Sequence, residues 1–185
     1  MNYFLEMIKK RRSIRKYKDK KVEKEKIIRI IQSALLSPSG KNVNPWKFVI
    51  VEDEDILLKL SRAKTSGSQF LGKAPLAIVV LADPEESDIW IEDASIATTM
   101  IMLSAQDSGL GSCWIQIRNR MHPDNIESEK YVKKILDIPD NIVVLCMIAI
   151  GYPDELKTEK SIDDKKWNDV FVNTFGNKIV KQNIK

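Results

Sequence analysis

Two hydrophobic periods alternate along this chain. Ile27, Ile28, Ile30, Ile31, Ala34 and Leu35 recur at helical spacing among lysines and glutamates and predict a helix over 22–36. Trp46, Phe48 and Ile50 then alternate with Lys47 and Val49, the signature of a strand over 46–52. Ile56, Leu57 and Leu60 place a second helix over 53–62, and Phe4, Leu5, Met7 and Ile8 a short amphipathic one over 2–10. The runs PLAIVVLA (75–82) and 141–151 are apolar without alternation, as strands buried on both faces are. Residues 92–109 predict the longest helix, rich in Ala, Thr, Ser and Met and apolar nearly all round; such small residues suit close helix packing, for instance across a dimer interface. A strand over 112–117 and a helix over 123–136, with Tyr131, Val132, Ile135 and Leu136 inward, complete the body. Residues 64–73 read as a mobile loop or short helix. From 152 onward the chain is polar with scattered aromatics, an extension that packs on the body or on another subunit rather than a second domain. The expectation is one domain over 1–185, with about four strands and five or six helices, an α/β or α+β sheet covered by helices.

Composition narrows the classes. With 185 residues, 43% hydrophobic and 30% charged, the chain suits one soluble globular domain. No apolar run approaches the ~20 residues of a membrane span, and the apolar-before-basic order of MNYFLEMIKK is wrong for a signal peptide, so a cytoplasmic protein is expected. Cys113 and Cys146 lie in apolar surroundings, and His122, the single histidine, has no partner at ligand spacing and sits in a polar turn as an expected surface residue. Neither a metal site nor a Cys/His nucleophile is supported. The net charge of +4 conceals an asymmetry: 9–21 carries nine basic residues and one acid, +8, which leaves −4 for the rest.

Two stretches carry candidate chemistry. In KRRSIRKY (10–17), Ile14 and Tyr17 can anchor a segment from which Arg11, Arg12, Ser13 and Arg15 project donors. Guanidinium forks bind phosphate bidentately and a hydroxyl adds a donor; a solvated basic turn or an electrostatic patch for nucleic acid fits the same residues. In SPSGKNVNPWKFVIV (37–51), Pro38 and Gly40 end a helix, and Asn42 and Asn44 offer short donors and acceptors at the edge of an apolar floor. That arrangement suits a flat, polar-edged ligand, and equally an ordinary helix-to-strand connection. Gly109-Leu110-Gly111 follows a helix and precedes a strand, the reverse of a dinucleotide fingerprint.

Taken together, RRSIRKY, SPSGKNVNPWKF and GLGSCWIQ followed by AIGYP resemble, in order and spacing, the FMN-dependent nitroreductase family, and its compact members in particular. The resemblance spans nearly the whole chain. It implies an α+β sandwich, a mostly antiparallel central sheet flanked by helices, in an intertwined homodimer with FMN sites at the interface. It implies reduction of FMN by NADH or NADPH and ping-pong transfer to nitroaromatics, quinones or similar small acceptors. Arg11, Arg12, Ser13 and Arg15 would hold the FMN phosphate, the ribityl chain and the N1–O2 edge of the ring. Pro38, Ser39 and Asn42, with Asn44 in the same loop, would come from the partner subunit. Trp114, Ile115 and Gln116 would lie by the flavin face with backbone N–H groups toward N5 and O4, and Lys157 or Lys160 would reach the phosphate.

Two departures stand out. Asn44 occupies a position where the family often has Gln, and Gln116 one where compact members often have a small residue, so that its side chain would narrow the pocket over N5. Crowding there suits an alternative, a flavin store or sensor of the same fold with little turnover. A nucleic-acid module built on the basic segment is disfavoured by the acidic remainder and the lack of interleaved aromatics. Within the enzyme reading, the flavin carries the chemistry and no side chain acts as acid, base or nucleophile.

Overall fold

The computed structural model describes residues 3–163 and 166–179. Helix α1 (Tyr3–Lys10) and helix α2 (Lys24–Leu35) lead through a 3-10 turn at Gly40–Asn42 into β1 (Trp46–Val51). Then come α3 (Glu54–Leu60), a 3-10 turn at Gln69–Lys73, β2 (Leu76–Ala82), α4 (Trp90–Asp107), β3 (Gly111–Gln116), α5 (Ser128–Leu136) and β4 (Val143–Gly151). The strands form one antiparallel sheet in the order β1-β2-β4-β3. The two unalternating apolar runs, β2 and β4, are therefore its centre.

Because successive side chains leave a strand on opposite faces, β2 and β4 feed two cores. Ala77, Val79, Leu81, Met147 and Ala149 meet Leu57 and Leu60 of α3 and Val132 of α5. Leu76, Ile78, Val80, Cys146, Ile148 and Ile150 meet Ile27, Ile30 and Ala34 of α2 and Ala94, Ile101 and Ala105 of α4. The result is a three-layer sandwich whose outer strands, β1 and β3, are both edges. Not every apolar position of α2 turns inward: Ile28 and Leu35 are exposed, and Leu36 is 82% exposed.

Two expectations change. The helix predicted from 123 begins at Ser128, because Asn125 adopts a left-handed φ of 60° and Met121 pairs with Glu127 across a tight turn. His122 is buried rather than on the surface. Its ring stacks on Tyr131 at 4.1 Å, and Nδ1 accepts from the Asp124 N–H at 3.1 Å, so it is a packing residue.

The segment after β4 runs back along the basic segment. Tyr17 pairs with Pro153, the Lys18 N–H donates to the Tyr152 carbonyl at 2.9 Å, and the Asp154 N–H to that of Lys16 at 2.9 Å. Nearby, the Tyr152 hydroxyl donates to Glu23 Oε2 at 2.6 Å and accepts from Lys26 Nζ at 2.9 Å. The Tyr152 hydrogen bond, with Lys20 beside it, lowers the Glu23 carboxyl from 4.5 to about 2. A depressed folded pKa means stability that is present above pH 4.5 and lost as the pH falls toward 2. Urea midpoints taken through that window should fall less in Glu23→Gln than in the native chain; parallel curves would show that the carboxylate is equally paired when unfolded. Farther along, Phe171 packs on Phe175, centroids 4.6 Å apart, and Phe175 stays 93% exposed.

Candidate functional site

The basic segment is fixed to the free edge of β3. Ser13 bridges Ser112 in parallel, and the Ile14 N–H donates to the Ser112 carbonyl at 3.1 Å. Ile14 lies over Gly111, where a Cβ would stand 2.7 Å from Ile14 Cγ1, so only glycine admits this approach. Tyr17 is buried, and its hydroxyl reaches the carbonyls of Ile14 at 2.6 Å and Ala149 at 3.2 Å. Glu155 Oε1 accepts from the N–H groups of Arg15 at 2.6 Å and Lys16 at 3.3 Å, while its Oε2 meets Lys157 Nζ at 2.6 Å. The Lys157 contact leads the causes that hold the Glu155 carboxyl below its ordinary value. Ile14 and Tyr17 are thus the anchors, and the arginines remain partly or fully exposed.

Charge is left uncompensated here. Among the described residues, Arg11, Arg12, Arg15, Lys64, Arg118 and Arg120 form no ion pair. Arg12 donates to the Thr158 carbonyl, and the Arg15 guanidinium lies 5.8 Å from the centre of the Phe70 ring. Arg11, Ser13 and Arg15 surround the Cys113 thiol. Burial raises that thiol, against the pull of Arg15, the Ser13 hydroxyl and Arg11, so it stays protonated and neutralises none of the cations. Lys64 belongs to the same cluster: burial lowers it first, then the like charge of Arg120, with Cys113 opposing. Two hydrogen bonds, from the Thr65 N–H at 3.3 Å and its hydroxyl at 3.2 Å to the Met121 carbonyl, hold the Lys64 loop against the Arg120 turn.

The edge itself offers donors. Since the Ser112 carbonyl faces the free edge, alternation turns the N–H groups of Trp114 and Gln116 the same way. Ile115 turns its backbone toward β4 and its side chain into the core, so it shapes the floor. The Gln116 amide is pinned at both ends. Its Oε1 accepts from Trp114 Nε1 at 2.9 Å, and its Nε2 donates to the Arg118 carbonyl at 3.0 Å. It is a fixed group rather than one that swings across the edge. Lys157 stands beside Glu155, and the Lys160 N–H donates to the Lys9 carbonyl at 3.0 Å, which brings both candidate lysines to the basic segment.

The other predicted residues lie elsewhere. Pro38, Ser39, Asn42 and Asn44 precede β1, on the opposite edge of the sheet, about three strand spacings or ~14 Å away. Their loop is unusual: Lys41, Asn42 and Asn44 have φ of 51°, 58° and 57°. Ser39 Oγ donates to Asn44 Oδ1 at 2.8 Å and accepts from the Asn44 N–H at 3.0 Å, so Asn44 closes the loop. The Gly40 N–H donates to Asp93 Oδ1 at 2.9 Å. Asn42 is exposed at the tip. One chain therefore does not itself bring these two groups of predicted residues together. Sequence reasoning missed Lys64, Arg120 and Asp93; the first two sit in short polar loops without period, and Asp93 reads as an ordinary acid in the first turn of a helix.

With this geometry in hand, comparison with known proteins is informative. The nitroreductase family model matches residues 8–67 and 58–152. An FMN-dependent nitroreductase of Clostridium difficile R20291 superposes with a TM-score of 0.91 at 51% identity, covering 92% of this chain and 99% of that one. A provisionally named NADH dehydrogenase/NAD(P)H nitroreductase of Archaeoglobus fulgidus is 41% identical over 89% of this chain and 94% of its own length. A nitroreductase family protein of Clostridium novyi NT has a TM-score of 0.74 at 31% identity, over 98% of this chain and 99% of that one. Family model, relatives and the antiparallel sandwich agree: the chain belongs to the nitroreductase family.

Proposed function

We propose that the chain is an FMN oxidoreductase that uses NADH or NADPH to reduce a nitroaromatic, a quinone or a similar small acceptor by a ping-pong mechanism, and that it works as a homodimer. The observation that carries this reading is the cluster of cations that have no carboxylate partner among the described residues, at a sheet edge with outward N–H groups. Such a donor set suits a ligand with a phosphate at one end and a planar polar ring at the other. Bound FMN would supply the redox chemistry between the nicotinamide and the acceptor. The residues of this chain bind and polarise it. Arg11, Arg12, Ser13 and Arg15 hold the phosphate, the ribityl hydroxyls and the N1–O2 edge, with Lys157 or Lys160 adding charge at the phosphate. A fixed cation by the N1–O2 edge favours the reduced, anionic ring. Trp114 and Gln116 offer backbone N–H groups to the N5–O4 side, and Ile115 keeps the floor apolar.

Dimerisation would join the half-sites by bringing the partner's loop, with Pro38, Ser39 and Asn42, to the basic edge of this chain. The exposed apolar side chains of Tyr3, Phe4, Ile28, Leu35 and Leu36 are suitable cover for such a contact, and 152–163 with 166–179 would extend onto the body or the partner; the rest of the predicted extension lies outside the described residues.

The test is a visible absorption spectrum and a solution mass of the purified protein, followed by anaerobic mixing with NADH and with NADPH. A yellow dimer that bleaches with either nucleotide is expected. A yellow protein stable to both would be a flavin binder, and a protein that stays colourless after addition of FMN would remove the site assignment.

A further inference from the structure

The loop that precedes β1 holds three residues, Lys41, Asn42 and Asn44, in left-handed backbone, none of them glycine. Asn42 and Asn44 tolerate that region, but Lys41 carries a steric cost, which persists only when its surroundings over-determine it. Ser39 and Asn44 close it from within. The other restraint comes from the start of α4, 53 residues away, where Asp93 Oδ1 accepts the Gly40 N–H at 2.9 Å. Asp93 is only 2% exposed and has no cation partner among the described residues. A buried carboxylate needs hydrogen-bond donors. Here they are the Gly40 N–H, the Ser87 hydroxyl at 3.4 Å, and the positive end of α4. The approach is close on the other side too: a Cβ on Gly40 would stand 2.2 Å from Ile89 Cδ1. Residues 87–93 thus grip Gly40 between a hydrogen bond and an apolar wall.

We propose that Asp93 is a positioning residue for the flavin site: by holding Gly40 it fixes the left-handed loop in the shape with which Ser39 and Asn42 meet the cofactor. This rests on the FMN reading above. A helix-start acid with a purely structural role would need neither a glycine against it nor a loop of non-glycine left-handed residues beyond it. The same stretch also reaches the β3 side, where the Arg118 guanidinium lies 5.8 Å from the centre of the Trp90 ring.

The test uses the whole protein, purified with flavin, stripped and titrated with FMN, with amide exchange at Gly40 followed in the stripped form. Asp93→Ala should speed exchange at Gly40 and weaken FMN binding about tenfold or more, the loss expected when a charge-assisted hydrogen bond and the loop order behind it are removed. Asp93→Asn keeps an acceptor for the Gly40 N–H and should stay within about threefold of the native affinity. Thr98→Ala, which removes a buried hydroxyl farther along α4, is the stability control. Should Asp93→Ala not fold, Gly40→Pro removes the N–H that Asp93 accepts, with Asp93 intact, and should weaken FMN to the same extent. Native FMN affinity in folded Asp93→Ala, or in Gly40→Pro, overturns the proposal; so does equal weakening in Thr98→Ala at equal loss of melting temperature. A native chain that binds FMN while Asp93→Ala binds it equally well sinks this inference alone. A native chain that never binds FMN sinks the functional reading and this inference with it.

Discussion

Arg11→Ala/Arg15→Ala is expected to purify colourless and to take up FMN about a thousandfold more weakly than the native chain. Each charge-assisted hydrogen bond contributes roughly 1.5–3 kcal/mol, and about 1.4 kcal/mol is tenfold in affinity, so either single variant should lose about ten- to hundredfold. The loss should be that large because these guanidiniums form no ion pair among the described residues, and Glu155 is occupied by the Arg15 and Lys16 N–H groups and by Lys157. Removing them should leave the fold intact, since Ile14 and Tyr17, not the arginines, anchor the segment. Arg15→Lys separates charge from geometry. It keeps the cation but not the planar fork, and an intermediate loss of affinity would point to bidentate contact. Flavin-fluorescence titration of the stripped proteins measures all four. A double variant that holds flavin as tightly as the native chain would place the cofactor elsewhere.

The same residues show what a single sequence can and cannot tell. The centre of the sheet was legible because β2 and β4 are buried on both faces, and burial on both faces is written locally as an unbroken apolar run. The anchors of the basic segment were legible for a similar reason, since Ile14 and Tyr17 are the only large apolar groups in a run of lysine and arginine. His122 was not, because its burial depends on Tyr131, nine positions later, lying flat against it. Nor was Asp93, whose partner is a backbone N–H on a loop that chain topology brings alongside. Ile28, Leu35 and Leu36 carry helical periodicity that reads as core, yet they face out of the single chain. A period reports which side of a helix is apolar but not what covers it. The residues of 10–17 and of 37–44 look alike as sequence, polar, loop-borne and donor-rich, and only the family resemblance assigned them to different subunits; the strand order is what sets them on opposite edges of one chain.

Tyr17→Ala should be the most destabilising single change near the site, at about 3–5 kcal/mol, the range for truncating a buried aromatic. For a chain of this size that corresponds to a melting temperature lower by roughly 6–20 °C. The ring is buried against Gly151, where a Cβ would stand 2.9 Å from Tyr17 Cδ1, so its loss leaves a void that the closely apposed backbone cannot readily fill. Its hydroxyl spans two elements, reaching the Ile14 carbonyl of the basic segment and the Ala149 carbonyl of β4. Tyr17→Phe removes only that link and should cost about 1 kcal/mol, with flavin affinity within about threefold of native. The pH dependence separates the two contributions. Burial raises the phenol above its ordinary 10.0, so the native chain loses stability as the pH climbs past that value, because the unfolded chain ionises first. Tyr17→Phe has no proton to lose there and should show the flatter profile. Thermal melts of the three proteins between neutral pH and pH ~11 check both points. If Tyr17→Ala melted like Tyr17→Phe, the hydroxyl rather than the ring would be what fastens the cation segment to the sheet, and Arg11, Arg12 and Arg15 would depend on the hydrogen bonds of that one hydroxyl for their position.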